Sequence, residues 1–132
     1  MNKLVTMEKI RCGMAARGRE VLAVTFPTVG PLTTPQWHSI SALSKGSVPA
    51  SELADKAGIQ GPSLSRIIPD LKSLGLIFTE KSSKDGRILD VDLTPKGKRL
   101  HKKLHERFNE AVEPTESEKE QLKELVGEYA AN

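Results

Sequence analysis

The segment that decides the fold is IQGPSLSRIIPDLKSLGLIFTEKSSKDGRILDVDLTPKG, residues 59–97. Its first part places apolar residues at intervals of three and four, which predicts a helix with one buried face. These residues are Leu64, Ile67, Ile68, Leu71 and Leu74. The opposite face is polar and carries Ser63, Ser65, Arg66, Lys72 and Ser73. Gly75 then follows, and glycine readily adopts the left-handed conformation that ends a helix.

A β-hairpin is predicted after this helix. Leu76–Thr79 has the composition of a strand, and Ile88–Leu93 alternates apolar and polar residues as a half-buried strand does. The polar residues 82–87 between them form the tip, which contains the basic residues Lys84 and Arg87. A polar-faced helix beside a basic hairpin is suited to gripping a DNA duplex.

Three helices are predicted before this unit. The first spans about Leu4–Val24, and its glycines weaken it enough that it needs a partner surface. After a break at Phe26–Pro31, Thr33 and Gln36 form a capping pair that begins a second helix. The third helix, Ser51–Ala57, is joined by a glycine-containing turn to the helix at residue 62, which together make a helix-turn-helix.

Two helices are predicted after the hairpin. Thr94-Pro95 begins the fifth, whose apolar stripe is Leu100, Leu104, Phe108 and Val112. Thr115 to Glu118 is a capping box for the sixth, whose apolar positions are Leu122, Leu125, Val126 and Tyr129. The first, fifth and sixth helices carry more apolar surface than one small lobe can cover, so we expect a homodimer.

The fold class is therefore mainly α with a small β-hairpin. We expect a single domain over residues 1–132, in which a winged helix-turn-helix DNA-binding lobe spans about 32–97. The N- and C-terminal helices, about 4–30 and 98–132, form the dimerisation region. A twofold dimer would set two recognition helices about 34–36 Å apart and would favour a pseudo-palindromic DNA site.

Charge is distributed unevenly along the chain. The formal net charge is +3, yet residues 60–107 hold eleven Lys and Arg against six Asp and Glu. Residues 108–132 hold two against seven. Basic charge around the helix and hairpin is expected if they meet phosphates, although solvated helix faces would also produce it. A single cysteine, with no long apolar run and no signal peptide, indicates a cytoplasmic protein without a membrane partner.

Six blocks of this sequence resemble the MarR family of bacterial transcription regulators. They are LTTPQW (32–37), ELADKAGI (52–59), PSLSRII (62–68), LKSLGLI (71–77), SSKDGR (82–87) and VDLTPKG (91–97). Their order and spacing fit the family over about half of the chain. The resemblance implies an obligate winged-helix homodimer that represses nearby genes and is released by a small aromatic or phenolic ligand or by cysteine oxidation.

The resemblance also implies roles for individual residues. Ser63, Ser65 and Arg66 occupy positions that contact bases and phosphates, and Arg87 occupies the position of a wing arginine in the minor groove. Asp85 is expected to orient Arg87 through a charge-assisted hydrogen bond. The remaining expected DNA contacts are Lys72, Lys81 and Lys84, for which a free surface position is the alternative.

Two residues depart from the family pattern. Gly86 stands where a second basic wing residue is usual, so the wing is expected to be more mobile or to bind more weakly. Pro69 lies inside the recognition helix, where proline removes a hydrogen bond to the Ser65 carbonyl and clashes with it, at a cost of about 3 kcal/mol. We therefore expect a bend or a 3₁₀ turn near residues 65–69 that re-aims Arg66.

A ligand site is expected beside the second helix, where an aromatic acid would meet cationic and aromatic side chains. The candidate residues are Arg11, Met14, Arg17, Trp37 and His38. The competing interpretation makes Trp37 a core residue and His38 a surface residue.

Cys12 and the histidine pair His101 and His105 each have a functional and a purely structural interpretation. Cys12 is interpreted as a packed thiol rather than a redox sensor, because tyrosine partners for it are not evident. His101 and His105 have the spacing of a metal pair, yet Lys102 and Lys103 lie beside them and no third ligand is evident. We interpret them as a solvated pair, and we expect neither a metal nor a cofactor.

The sequence thus predicts a sequence-specific DNA-binding regulator. One alternative is a winged-helix module that binds proteins or DNA shape without sensing a ligand. The other is an enzyme, but no nucleophile–base pair, carboxylate pair or phosphate-binding loop stands at recognisable spacing.

Overall fold

The computed structural model describes residues 2–24 and 29–131, with side chains up to residue 127. Within these residues the chain forms six helices and three strands. The helices are α1 (Lys3–Ala23), α2 (Thr34–Ala42), α3 (Ala50–Ala57), α4 (Gly61–Ser73), α5 (Pro95–Val112) and α6 (Glu116–Ala131). The strands are β1 (Val48–Pro49), β2 (Ile77–Lys81) and β3 (Leu89–Leu93). Part of the break at Phe26–Pro31 and the Tyr129 side chain lie outside the described residues.

The predicted helices and the hairpin form where the sequence places them, but β1 was not predicted. This strand has only two residues, which is too short for a periodic pattern. It forms because Val48 pairs with Val91 and Pro49 with Asp90, giving an antiparallel sheet of order β1-β3-β2. Its partner β3 is distant in the sequence, so no local sequence pattern predicts this pairing.

Both predicted capping boxes are present. The Thr33 side chain accepts from the Gln36 N–H at 3.3 Å, and the Gln36 side chain accepts from the Thr33 N–H at 2.9 Å. The same reciprocal bonds join Thr115 and Glu118 at 2.8 and 3.1 Å. Each pair satisfies two N–H groups that a helix start leaves without a partner.

The chain divides into two compact units, one of Met1–Val21 with Glu106–Asn132 and one of Leu22–His105. In the first, Arg17 ties α1 to the end of α5 and the start of α6. Its Nε donates to the Ala111 carbonyl and its Nη2 to Glu118, both at 2.7 Å. The Thr115 N–H, followed by Arg17, lowers the pKa of the Glu118 carboxyl. A glycine also serves this unit, because a Cβ on Gly18 would lie 3.1 Å from the Phe108 ring.

The second unit holds the core of the helix-turn-helix. Its fully buried side chains come from α2, α3, α4, the sheet and α5, and they include Ile40, Leu43, Leu53, Leu71, Leu76, Val91 and Leu104. Burying each such side chain stabilises the fold by about 1.5–3 kcal/mol. The recognition helix and the hairpin are thus fixed to one apolar core.

The start of α5 is bonded to the segment that links α4 to β2. The Thr94 N–H donates to the Leu76 carbonyl at 3.0 Å, and Lys96 Nζ donates to the Leu74 carbonyl at 2.9 Å. A Cβ on Gly97 would lie only 2.1 Å from the Leu76 carbonyl oxygen. Glycine at this position lets α5 approach the backbone closely, which holds the base of the hairpin in place.

Candidate nucleic-acid interface

The helix α4 presents a polar face while its other face is fixed in the core. Leu64, Ile67 and Leu71 are buried, and Gly75 ends the helical segment with φ of 73°. The predicted reading residues Ser63, Ser65 and Arg66 are all exposed. An anchored helix with exposed polar residues near its N-terminus has the form that enters a major groove.

The hydroxyl of Ser65 is already engaged. It donates to the Pro62 carbonyl at 2.8 Å, one turn earlier in the helix. Its proton is therefore used within α4, and its oxygen lone pairs remain for a donor from outside. Arg66 forms no ion pair with any residue in the described parts of the chain, so its five N–H donors face solvent.

The 3₁₀ turn expected near Pro69 is wrong, whereas the expected bend stays a prediction. The α-helix continues from Gly61 to Ser73 with no 3₁₀ segment, although Pro69 lies inside it. Ser65 and Pro69 are both exposed, so water can solvate the Ser65 carbonyl that proline leaves without a partner. The three buried side chains hold the helix to the core on both sides of the proline, which opposes a break.

Lys72 connects α4 to the hairpin. Its Nζ donates to the Thr79 hydroxyl on β2 at 3.1 Å. The side chain is exposed, so the ammonium remains accessible while its position is restrained. It can offer a phosphate a charge at the junction of the helix and the wing.

The tip of the wing is organised by Asp85. Its carboxylate accepts from the Arg87 backbone N–H at 3.0 Å and from the Arg87 Nε and Nη2, both at 3.2 Å. The hydrogen bond from the guanidinium and that from the backbone N–H lower the pKa of Asp85. The Arg87 side chain nevertheless stays 91% exposed. Asp85 therefore restrains its orientation and leaves the guanidinium accessible to a ligand. The predicted Asp85–Arg87 pair is thus present.

Other basic residues surround this pair. Lys81 ends β2 and Lys84 lies in the tip, and both are exposed. The Ser82 N–H donates to the Ile88 carbonyl at 2.8 Å, which closes the hairpin. Gly86 has a negative φ and nothing within 4 Å of its Cβ position, so a larger side chain would fit there.

The expectation of a solvated histidine pair is wrong for His101. Its ring stacks on buried Trp37 at 5.3 Å between centroids, with 13° between the planes. The His101 ring also stacks with that of His105, at 5.5 Å and 17°, and His105 is exposed. Burial lowers the pKa of His101, and the charge of His105 lowers it further. The sequence could not show this stack, because Trp37 and His101 meet only through tertiary packing.

The five candidate ligand residues fall into the two units. Arg11, Met14 and Arg17 belong to the first unit, while Trp37 and His38 belong to the second. Arg11 pairs with Glu8 and Arg17 with Glu118. Trp37 and His38 are adjacent in sequence but differ in exposure, since the indole is buried and the imidazole is exposed.

The interpretation of Cys12 as a packed thiol is wrong for this chain. Its side chain is exposed. Arg11 Nη2 lies 3.7 Å and Glu8 Oε1 3.9 Å from its sulfur. Cys12 stands two residues after buried Ile10, so on a helix it faces away from the packed side of α1.

Within residues 2–24 and 29–131, no three His, Cys, Asp or Glu side chains are grouped as metal ligands. In the same part of the chain, no helix has the length and apolarity needed to cross a bilayer.

Comparison with known proteins identifies the family. Residues 31–88 match the sequence model of the MarR family. The chain is 31% identical over 123 residues to the HTH-type transcriptional regulator FarR of Neisseria gonorrhoeae, which covers 86% of this chain and 84% of FarR. It is 30% identical over 106 residues to the homoprotocatechuate degradative operon repressor of Escherichia coli, covering 76% and 72% of the two chains.

A solved structure agrees in fold. NadR in complex with 4-hydroxyphenylacetate superposes with a TM-score of 0.68 at 27% identity, over 98% of this chain and 93% of NadR. The fold agrees with the family found by sequence. The chain has a winged helix-turn-helix, an exposed polar face on α4, and an arginine held in place at the tip of the wing. The chain belongs to the MarR family of winged-helix, DNA-binding transcription regulators.

Proposed function

We propose that this regulator represses transcription by reading DNA through α4 and the wing together, by binding rather than catalysis, in the cytoplasm. Ser63, Ser65 and Arg66 read the major groove, and Arg87 enters the adjacent minor groove with Asp85 as its positioning residue. Lys72, Lys81 and Lys84 bind phosphates, whose contacts set orientation and salt dependence.

The contact between Asp85 and Arg87 is the observation that best supports DNA reading by the wing. A guanidinium that is 91% exposed is held by a bidentate carboxylate at the tip of a hairpin fixed to the recognition helix. A surface ion pair of this kind contributes little to stability, so folding alone does not account for it. A directed cation is what a narrow minor groove attracts.

The direct test is footprinting on the DNA next to the gene. A short inverted repeat should be protected, and the replacement Arg66→Ala should relax base preference at one position of each half-site, at a cost of about 1–3 kcal/mol. Arg19→Ala removes another exposed arginine, on α1, and serves as the control. Equal losses in both variants would contradict a reading role for Arg66.

We further propose that the regulator acts as a homodimer. The first unit exposes apolar side chains that a second copy would cover, with Leu4 75%, Met7 49% and Val126 66% exposed. Their exposure supports an isologous interface, in which the same helices of both copies meet. Two recognition helices would then read half-sites about one DNA turn apart.

The proposal extends to an aromatic carboxylate that releases DNA. It is supported by NadR, which is 27% identical and was solved with 4-hydroxyphenylacetate. The residues proposed to contact it are Arg11, Met14 and Arg17 within the first unit and, separately, Trp37 and His38 within the second. Arg17 would then exchange its bond to Glu118 for one to the ligand.

A panel of aromatic acids tests the effector. Binding should change the fluorescence of Trp37, the single tryptophan of the chain, at the concentrations that release operator DNA. Arg17→Gln should raise the required concentration, whereas Lys123→Gln should not. A panel that releases no DNA would remove the effector from the proposal and leave the DNA-reading residues unaffected.

A further inference from the structure

A cleft of mixed polar and apolar lining lies between the end of α2, the loop that follows it, and α3. It consists of two adjoining hollows of about 380 and 280 Å³ that share Ser41, Ala42 and Lys56. All of its residues belong to the second unit. The cleft involves neither α4 nor the wing, so it is separate from the proposed reading residues.

The polar side chains of the cleft carry donors of hydrogen bonds and no carboxylate. They are His38, Ser41, Ser44, Lys45, Ser47 and Lys56. None of these six side chains forms a hydrogen bond or ion pair with another residue in the described parts of the chain. Six donor groups therefore line one concavity and are left for water or a ligand.

The charge of the cleft is positive. Lys45 and Lys56 each bring an ammonium group. The acidic residues of α3 are Glu52 and Asp55, but neither forms an ion pair with Lys56. Both lysines also follow or end a helix, where cations interact well with the C-terminal carbonyls. Interaction with the helix carbonyls would explain a lysine near the C-terminal end of each helix. It does not explain why the hydroxyls of Ser41, Ser44 and Ser47 line the same cleft.

We propose that this cleft binds a phosphate group. Two ammonium groups supply charge, and the hydroxyls and the His38 imidazole supply directed donors, which is the donor set that a phosphate accepts from. The phosphate belongs either to the DNA backbone beside the operator or to a small phosphate ester. The two sources share one chemistry and differ in their effect on DNA binding.

The first experiment uses inorganic phosphate and pyrophosphate on the full chain at constant ionic strength. Backbone amide shifts of residues 41–47 and of Lys56 should move and saturate in a nuclear magnetic resonance titration. The double replacement of Lys45→Gln and Lys56→Gln should weaken this binding about tenfold or more, since charged hydrogen bonds are lost. Replacing Lys98→Gln and Lys102→Gln, two exposed lysines of α5, is the matched control.

The second experiment separates the two sources. If the phosphate is that of DNA, the cleft variant should lower the slope of log affinity against log salt by about one unit relative to the control variant. If it is a small ester, the slope should not change while the phosphate titration still saturates. A cleft variant that binds phosphate as the native chain does and keeps the native salt slope would overturn the proposal. Unchanged thermal unfolding of the variants would show that the exposed lysines were removed without damage to the fold.

Discussion

At the scale of single residues, Asp85 and Arg87 show how a sequence pattern becomes a directed side chain. Only Gly86 separates them in the hairpin tip, and the Asp85 carboxylate accepts hydrogen bonds from both the backbone N–H and the guanidinium of Arg87. Fixing an arginine before it meets DNA lowers the entropy lost on binding. The carboxylate itself repels phosphate, so its presence near DNA is useful only through the arginine that it orients.

Because the Asp85 carboxylate repels phosphate but orients Arg87, the direction in which its removal changes DNA affinity shows which effect is larger. Arg87→Ala should weaken operator binding on the order of tenfold and lower the salt slope by about one unit. Asp85→Asn should also weaken binding, although it removes a negative charge, because the guanidinium loses its orientation. Fluorescence anisotropy on operator DNA measures both variants.

The control is the double variant. Asp85→Asn should have no further effect once Arg87 is alanine, since the carboxylate then has nothing to orient. Tighter binding by Asp85→Asn alone would mean that simple charge repulsion dominates.

His101 predicts a dependence of stability on pH. Burial and His105 lower its pKa in the folded chain, so the folded state favours the neutral ring. The unfolded chain binds more protons below about pH 6.5, and stability should therefore be fully present above that pH and fall as the pH decreases. Urea unfolding at pH 7.5 and 5.5 should show a smaller pH effect in His101→Phe than in the native chain, while the exposed His38→Gln should behave as the native chain does.

At the scale of elements, the contact between α5 and the α4–β2 segment depends on the absence of a Cβ at Gly97. Gly97→Ala would place a Cβ 2.1 Å from the Leu76 carbonyl oxygen, which is backbone and cannot move alone. We expect a loss of about 1–3 kcal/mol in the free energy of unfolding, as for overpacked cores. Gly86→Ala, with open space around its Cβ, should stay within about 0.5 kcal/mol. Equal values in urea unfolding would contradict the close approach.

The continuity of α4 through Pro69 makes a different prediction. Pro69→Ala restores an N–H that can donate to the Ser65 carbonyl, and it removes the clash with that group. An interior proline costs about 3 kcal/mol, part of which returns because proline restricts the unfolded chain, so a gain of about 1–3 kcal/mol in unfolding free energy is expected.

Operator affinity distinguishes the two views of Pro69. Because the helix already continues through this position, Arg66 should keep its direction and Pro69→Ala should bind operator as the native chain does. A bent reading helix would instead show a changed base preference in the same variant.

At the scale of the whole molecule, the proposed homodimer depends on the apolar surface of the first unit. Leu4→Glu together with Val126→Glu places charges on side chains that are 75% and 66% exposed in one chain. Folding of the single chain should tolerate them, whereas a second copy would bury them. Sedimentation equilibrium should show a shift toward monomer, and operator affinity should fall in parallel.

Lys123→Glu tests whether any added acid on α6 has this effect. Its side chain is 78% exposed and polar, so no apolar contact is lost. If this replacement dissociates the protein as strongly as the apolar replacements do, the interface lies elsewhere on the molecule.

The sequence by itself determined the order of the six helices and the hairpin strands and their approximate bounds. Helix periodicity, the capping boxes at Thr33 and Thr115, and the alternation in β3 are local signals, so they act before any tertiary contact forms. The Asp85–Arg87 pair is local as well, but it was expected from the resemblance to the MarR family. Tertiary structure decided the pairing of β1 with β3, the stack of His101 on Trp37 and the contact of Gly97 with Leu76. These contacts join residues far apart in the chain, and burial and close packing select them only once the core has formed. The same core holds α4, which stays α-helical through Pro69, where local propensity predicted a bend or a 3₁₀ turn.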